Sequence, residues 1–149
     1  MDIVGFNITK IHAERVPNLK PSAITTNVEF TSIENLETTL FQGKEALKLG
    51  FKFTLDYTAQ DAKDKSKNNE KDKQGEIIFE GFIPVSLTKD EAKELQKGWK
   101  KKDVPADIRV PIFNIIIRKC SARAVSLQEE IALPFHLPFP QITAAPPKD

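Results

Sequence analysis

A run of alternating residues between positions 47 and 57 limits the possible folds more than any other feature of this sequence. Every second side chain in the run is large and apolar, and those between are mostly polar or small. A period of two places all the large apolar side chains on one face of a β-strand. Because the opposite face is polar, the pattern predicts an antiparallel sheet with one face toward a core and one toward water. The apolar positions are Leu47, Leu49, Phe51, Phe53, Leu55 and Tyr57.

Three other segments repeat this alternation and predict the remaining strands. The first covers residues 4–13, and its parity changes at residues 9–10, which predicts a bulge or twist at that point. The others cover residues 24–31 and 77–85. Pro84 lies in the last of them, and because proline cannot donate to a strand ladder, it predicts an edge strand or a strand end.

The apolar period then changes from that of a strand to that of a helix. Thr88 and Glu91 have the spacing of a capping box, which predicts a helix that ends at the lysines of 100–102. A second helix is predicted to begin near Pro111, since proline is tolerated in a first turn. Its apolar stripe comprises Ile108 just before it, Ile112, Ile115, Ile116, Cys120, Ala124, Leu127 and Ile131.

The order of these segments indicates the fold class. The chain has 149 residues, the size of a single domain. Strands followed by helices predict an α+β fold, with a four-stranded antiparallel sheet and both helices packed on one face. Residues 61–74 contain almost no apolar side chain and are predicted to form a mobile hairpin loop. Residues 133–149 hold five of the ten prolines and are predicted to form an extended tail.

Charge and cysteine content restrict the classes of function. The chain has 22 basic and 21 acidic residues, which gives no support to a duplex-DNA binder, because such proteins usually carry a basic excess. A single cysteine cannot form an intramolecular disulfide and fits a reducing compartment. The N-terminal residues lack the pattern of a signal peptide, and no apolar run is long enough to span a bilayer. We therefore expect a cytoplasmic protein without membrane insertion.

Residues that usually carry catalysis or bind cofactors are sparse. His12 and His136 lie far apart in the sequence, and with one cysteine they cannot supply the four ligands of a structural zinc site. The glycines are scattered singly, so the sequence contains no phosphate-binding glycine loop. Cys120 falls on an apolar stripe, which indicates a buried side chain, and a Cys120 nucleophile is the enzymatic alternative. We expect no enzyme activity, no cofactor and no metal site.

A basic cluster surrounds the only tryptophan at the end of the first predicted helix. Cations beside an aromatic ring can hold RNA through phosphate contacts and base stacking, so an RNA- or ribosome-associated module is an alternative function. The same lysines would also complement the dipole of a helix C-terminus while the tryptophan packs in the core. The cluster consists of Lys97, Trp99, Lys100, Lys101 and Lys102.

Three stretches resemble the SecB family of export chaperones. Residues 6–13 (Phe-Asn-Ile-Thr-Lys-Ile-His-Ala) resemble the first SecB strand, which also leads into a proline-bearing crossover. Residues 110–120 (Val-Pro-Ile-Phe-Asn-Ile-Ile-Ile-Arg-Lys-Cys) resemble the start of the main SecB helix. Residues 137–142 (Leu-Pro-Phe-Pro-Gln-Ile) resemble the segment that follows that helix. The resemblance implies an ATP-independent holdase that assembles as a dimer of dimers and binds unfolded clients in hydrophobic grooves.

The sequence departs from the family pattern in three respects. Single glycines at positions 75 and 81 replace the usual glycine pair before the last strand, and an additional helix precedes the main one. The acidic surface and acidic tail that dock the SecA motor are missing. The resemblance therefore implies client holding and leaves coupling to a motor open.

Two sets of candidate residues follow from this hypothesis. Apolar side chains in the predicted connectors, such as residues 32–43, and in the tail are harder to explain as core than those on strands. The candidates for client binding are Leu19, Leu36, Leu40, Phe41, Phe135 and Phe139. The apolar stripe of the second helix is longer than one chain needs, which predicts a homo-oligomer. Its interface candidates are Ile112, Ile115, Ile116 and Cys120.

Overall fold

In the computed structural model, which describes residues 1–37, 43–60 and 72–144, the chain forms an antiparallel sheet followed by two helices. The predicted α+β class is confirmed. Within these ranges the sheet has five strands, so the prediction of four was wrong. The elements are β1 (Asp2–Ile3), β2 (Asn7–Arg15), β3 (Ser22–Asn35), β4 (Glu45–Ala59), β5 (Lys73–Leu87), α1 (Lys89–Lys100) and α2 (Ala106–Glu130).

The alternating run of residues 47–57 forms the middle of β4, and each of its large apolar side chains is fully buried. β4 lies between β3 and β5 and pairs antiparallel with both. We call the buried side of the sheet its core face and the opposite side its outer face. The outer face is mostly polar, although Ile78 and Phe82 of β5 also lie on it. Charges of opposite sign alternate along one row, which joins Glu29, Lys52, Glu80 and Lys10 on β3, β4, β5 and β2.

The additional strand arises from a break in the first predicted strand. β1 and β2 pair with β5 one after the other along the same edge. Between them the Val4 N–H donates to the Pro84 carbonyl at 2.9 Å. Pro84 has no N–H to donate, so the ladder is interrupted beside it. The prediction that Pro84 marks an edge strand or strand end was wrong, because β5 continues past it to Leu87 with strands on both sides.

Two bulges modify the ladders. The register shifts between Ile8 and Lys10, which confirms the bulge that the change of parity predicted. A second shift between Phe30 and Ser32 lets β3 continue to Asn35, into the segment predicted to be a connector. Most of the predicted hairpin loop, residues 61–71, lies outside the described ranges, and β5 begins at Lys73 inside the predicted loop.

The helices pack on the core face. The capping box of α1 is confirmed, because the Thr88 hydroxyl accepts from the Glu91 N–H at 3.2 Å and the Glu91 carboxylate accepts from the Thr88 N–H at 3.2 Å. α2 begins at Ala106, earlier than the predicted start at Pro111, which lies inside the helix. Val104 and Ile108 are both buried, so core contacts hold the chain in place on either side of the earlier start.

A stripe of buried residues at intervals of four connects α2 to the sheet. The predicted stripe passed from Ala124 to Leu127 and Ile131. The buried stripe instead keeps its interval of four and ends at Gln128, which is fully buried. Leu127 and Ile131 are only half-buried. The buried stripe comprises Ile108, Ile112, Ile116, Cys120, Ala124 and Gln128.

We predict that Gly81→Ala destabilises the fold by about 1–3 kcal/mol, the usual cost of overpacking. Gly81 lies on β5 beside Ile8, and a Cβ there would collide with the Asn7 carbonyl oxygen and lie 3.0 Å from the Ile8 Cα. Urea unfolding measures the loss. Gly5→Ala is the control, because its Cβ would meet nothing closer than the Pro84 Cγ at 3.4 Å. Equal stability of the two variants would contradict the prediction.

Candidate functional site

The main candidate site is a groove between the edge strand β3 and the corner that joins α1 to α2. Its volume is about 420 Å³. One wall is the core-face side of β3, and the other is formed by the corner and the first turns of α2. We call it the β3 groove. Its lining residues are Val28, Glu29, Phe30, Trp99, Lys102, Val104, Arg109 and Phe113.

The corner is a tight turn that holds Trp99 at the groove. The Asp103 N–H donates to the Gly98 carbonyl at 2.8 Å, and the Lys102 N–H donates to the Trp99 carbonyl at 3.0 Å. Lys102 has a φ of 55°, in the left-handed region. Gly98 is needed here, since a Cβ would lie 2.5 Å from the Asp103 carbonyl oxygen. The turn thus places an indole ring and a lysine side by side.

The apolar part of the groove is aromatic. Phe113 on α2 packs against Phe30 on β3 with ring centroids 4.8 Å apart. Arg109 precedes Phe113 by four residues and therefore lies on the same side of the helix. Phe30, Phe113 and Trp99 are half-buried and border the core cluster. The groove is therefore a partly exposed extension of the hydrophobic core with cations on its rim.

β3 supplies the groove with an open strand edge. Among the described residues it pairs with β4 and with no other strand. An edge strand presents a row of N–H and C=O groups that can pair with another chain. Beside the β3 groove, these backbone groups lie next to an apolar surface. Such an arrangement can bind an extended polypeptide through its backbone and its side chains together.

Comparisons with protein-family models, with curated proteins and with solved structures found no match to this chain. The β3 groove is therefore interpreted from its own chemistry. No helix in the described ranges is both long enough and apolar enough to cross a membrane.

None of the predicted client-binding residues that the structure describes lines the β3 groove. Leu19 is half-buried against the core, and Leu36 is half-buried just after β3. Leu40 and Phe41 lie outside the described residues. Phe135 and Phe139 in the tail are exposed and pack on each other, with ring centroids 4.8 Å apart.

The predicted oligomer interface lies largely inside the chain. Ile112, Ile116 and Cys120 are fully buried in its own core, and Ile115 is half-buried. The first three therefore offer no surface to a second copy. Burial also raises the pKa of Cys120 to about 12, despite the opposing effect of the nearby Arg123. The thiol stays protonated at neutral pH, so Cys120 is not an activated nucleophile.

The predicted basic cluster is divided between two surroundings. Trp99 and Lys102 line the β3 groove, where they meet Arg109, a cation that the sequence did not single out. Lys97 and Lys100 lie in the last turn of α1, where they complement the helix dipole. Lys101 is the exposed C-cap residue.

A buried polar network anchors the start of the tail, and sequence reasoning missed it. The Tyr57 hydroxyl donates to the Pro134 carbonyl at 2.7 Å and accepts from the Gln128 Nε2 at 2.7 Å. Gln128 Nε2 also lies 2.9 Å from His136 Nδ1. When Nδ1 accepts from Gln128, the proton of the neutral imidazole is on Nε2, which is buried and has no partner among the described residues. The signal was present in the sequence, because the interval of four from Ala124 leads to Gln128.

We predict that acidification weakens the fold through His136. Burial lowers the pKa of His136 below its ordinary value, so the unfolded chain takes up a proton at a higher pH than the folded chain. The free energy of unfolding should fall as the pH drops from about 7.5 to 5.5, by at most about 1.4 kcal/mol per pH unit for this group. Urea unfolding at several pH values measures the slope. His136→Asn, whose amide oxygen can still accept from Gln128, should flatten it, and equal slopes would contradict the prediction.

Proposed function

We propose that this chain is an ATP-independent holdase of SecB type that binds unfolded polypeptides, including preproteins, in the β3 groove. The observation that carries the proposal is that an apolar, aromatic groove lies directly beside a strand edge that, in the part of the chain the structure describes, pairs on one side only. Apolar contact and backbone pairing are the two interactions that every unfolded segment can make. A site that uses both needs no particular client sequence.

The geometry of β3 sets how a client would bind. An extended client segment beside β3 would form hydrogen bonds to its edge and direct every second side chain toward the groove, because side chains alternate along a strand. The groove side chains Val28 and Phe30 are themselves two residues apart on the core face. Client pairing would be regular as far as Phe30, after which the bulge shifts the register of β3 against β4. A short paired stretch favours weak and reversible holding.

The charged side chains near the groove also favour reversible binding. Glu29 lies on the outer face of the edge strand β3, and Lys102 and Arg109 lie on the opposite wall of the groove. Charged side chains on an edge strand discourage permanent pairing with another sheet. The free groove is thereby kept hydrated and remains open to clients.

We also propose that copies of the chain associate through the exposed side of α2. Val110 and Ile117 are 50% and 39% exposed and lie seven residues apart, so they share one side of the helix. These residues replace the buried isoleucines as interface candidates. Two such helices packed together would cover both side chains by a symmetric contact.

We predict that Val28→Lys raises the concentration of the chain needed to suppress aggregation of a chemically denatured client about tenfold, without nucleotide. The change places a charge in the groove and removes apolar contact worth roughly 1.5 kcal/mol. Light scattering after dilution of the client measures suppression. Asn27→Lys is the matched control, because it adds the same charge on the neighbouring residue, on the outer face. Circular dichroism and urea unfolding check that both variants are folded.

Other residues could capture clients instead, and two further variants separate these possibilities. Leu40→Ser with Phe41→Ser tests the predicted connector site, and Phe135→Ser with Phe139→Ser tests the exposed tail. We expect both double variants to retain most of the activity. Loss of suppression in either one, with Val28→Lys unaffected, would contradict binding in the β3 groove.

A second candidate function is the binding of single-stranded RNA in the same groove. It is favoured by one observation, which is that Trp99, Lys102 and Arg109 line the groove together. An aromatic ring beside cations can stack a base and hold its phosphates.

We predict that Lys102→Asn with Arg109→Gln separates the two candidates. Asparagine tolerates the left-handed φ of position 102, so the corner should be retained. If the groove binds RNA, fluorescence anisotropy with a labelled single-stranded RNA should show salt-dependent binding that is weaker in the double variant, with a salt slope smaller by about 1–2. If the groove holds polypeptide, the double variant should suppress aggregation as the unmodified chain does.

A further inference from the structure

We propose that His12, Glu14 and Glu76 form a binding site for a divalent transition metal ion, with zinc as the best-fitting ion. The three side chains lie together on the outer face of the sheet. His12 and Glu14 are two residues apart on β2 and therefore point to the same face. Glu14 is the register partner of Glu76 on the neighbouring strand β5. This site is independent of the β3 groove, which lies on the core face at the opposite edge.

The distances between the donor atoms fit a tetrahedral metal ion. His12 Nε2 lies 3.4 Å from Glu76 Oε1 and 3.6 Å from Glu14 Oε2. Zinc bonds of about 2.0–2.1 Å at tetrahedral angles place two ligand atoms roughly 3.3–3.4 Å apart. All three donor atoms lie within 4.8 Å of one another, so small side-chain rotations bring them to a common centre. One imidazole nitrogen and two carboxylate oxygens form a mixed set that zinc accepts.

Lys73 fixes the orientation of Glu76. Its ammonium group donates a hydrogen bond to Glu76 Oε2, which leaves Oε1 directed at His12. The carboxylate is therefore held in one orientation, with its free oxygen toward the imidazole. Outer contacts of this kind orient the ligands of known metal sites.

The charge around the cluster also favours a cation. Asp56 on β4 is the register partner of Glu76, so a row of carboxylates crosses three strands. The carboxylates of Glu14, Glu76 and Asp56 lie close together, with Lys73 beside Glu76 and Lys52 near Asp56. A divalent ion held by Glu14 and Glu76 would reduce the repulsion between these carboxylates.

A concavity lies next to one of the three proposed ligands, Glu14. It has a volume of about 330 Å³ and is lined in part by Glu14, Lys73 and Gly75. Gly75 allows β2 to lie close, since a Cβ there would be 2.7 Å from the Glu14 carbonyl oxygen. A metal held by three protein ligands can bind water at its fourth position.

Isothermal titration of the full chain with zinc chloride tests the proposal. We expect one zinc ion per chain and an unfolding temperature that rises with zinc, because a ligand of the folded state stabilises it. His12→Asn and Glu76→Gln should each weaken zinc binding at least about tenfold. Glu80→Gln is the matched control, because Glu80 lies on the same strand and face but outside the cluster. His136→Asn controls for binding by the other histidine.

The outcomes are distinct. Tight binding that depends on His12 and Glu76 and is retained in both controls supports the site. Absence of zinc binding by the folded chain overturns the proposal. Binding that survives His12→Asn, or that disappears with His136→Asn, also overturns it, because the ion would then be held elsewhere.

Discussion

The fully buried face of β4 is the constraint on which the rest of the structure depends. Its apolar side chains are covered only if strands pair on both sides and helices close over the core face. The i, i+4 stripe of α2 supplies that cover. Hydrophobic burial of this kind dominates the favourable free energy of folding. The outer face, free of that requirement, can hold the charged rows and the cluster of His12, Glu14 and Glu76.

The two candidate sites use the two edges of the same sheet. At one edge, β3 has no second pairing strand within residues 1–37, 43–60 and 72–144, and it lies next to aromatic residues of the core. At the other, β2 brings a histidine and a glutamate to the outer face beside Glu76. A binding role for polypeptide and a binding role for a metal therefore require different faces and different chemistry. Neither needs a change in the packing of β4.

Much of the fold followed from the sequence because periodicity reports burial directly. The strand of residues 47–57, the bulge after Ile8 and the capping box of α1 were predicted from local patterns. The break between β1 and β2 was not, because it depends on the position of Pro84 about eighty residues away in the sequence. The start of α2 was placed too late, because the burial of Val104 and Ile108 is a tertiary effect.

The candidate sites were harder to predict from the sequence, because their residues come together only through long-range contacts. Trp99 and Lys102 were singled out, but Val28, Phe30 and Arg109 reach them only through folding. Glu14 and Glu76 become neighbours only through strand register. Phe135 shows the reverse case. The sequence singled it out because it is apolar and lies in a loop, but it does not line the β3 groove. Long-range pairing carries the information that local patterns lack.

The hydrogen bond from Tyr57 to the Pro134 carbonyl has a consequence for synthesis in the cell. Leu133 and Gln128 are buried beside β4, so the core remains incomplete until translation has passed these positions. Chains dominated by such distant contacts fold slowly, because loop closure precedes the stabilising contacts. The nascent sheet would expose its apolar face on the ribosome while α2 is still being made. A protein proposed to protect unfolded chains would itself be a substrate for such protection during its own synthesis.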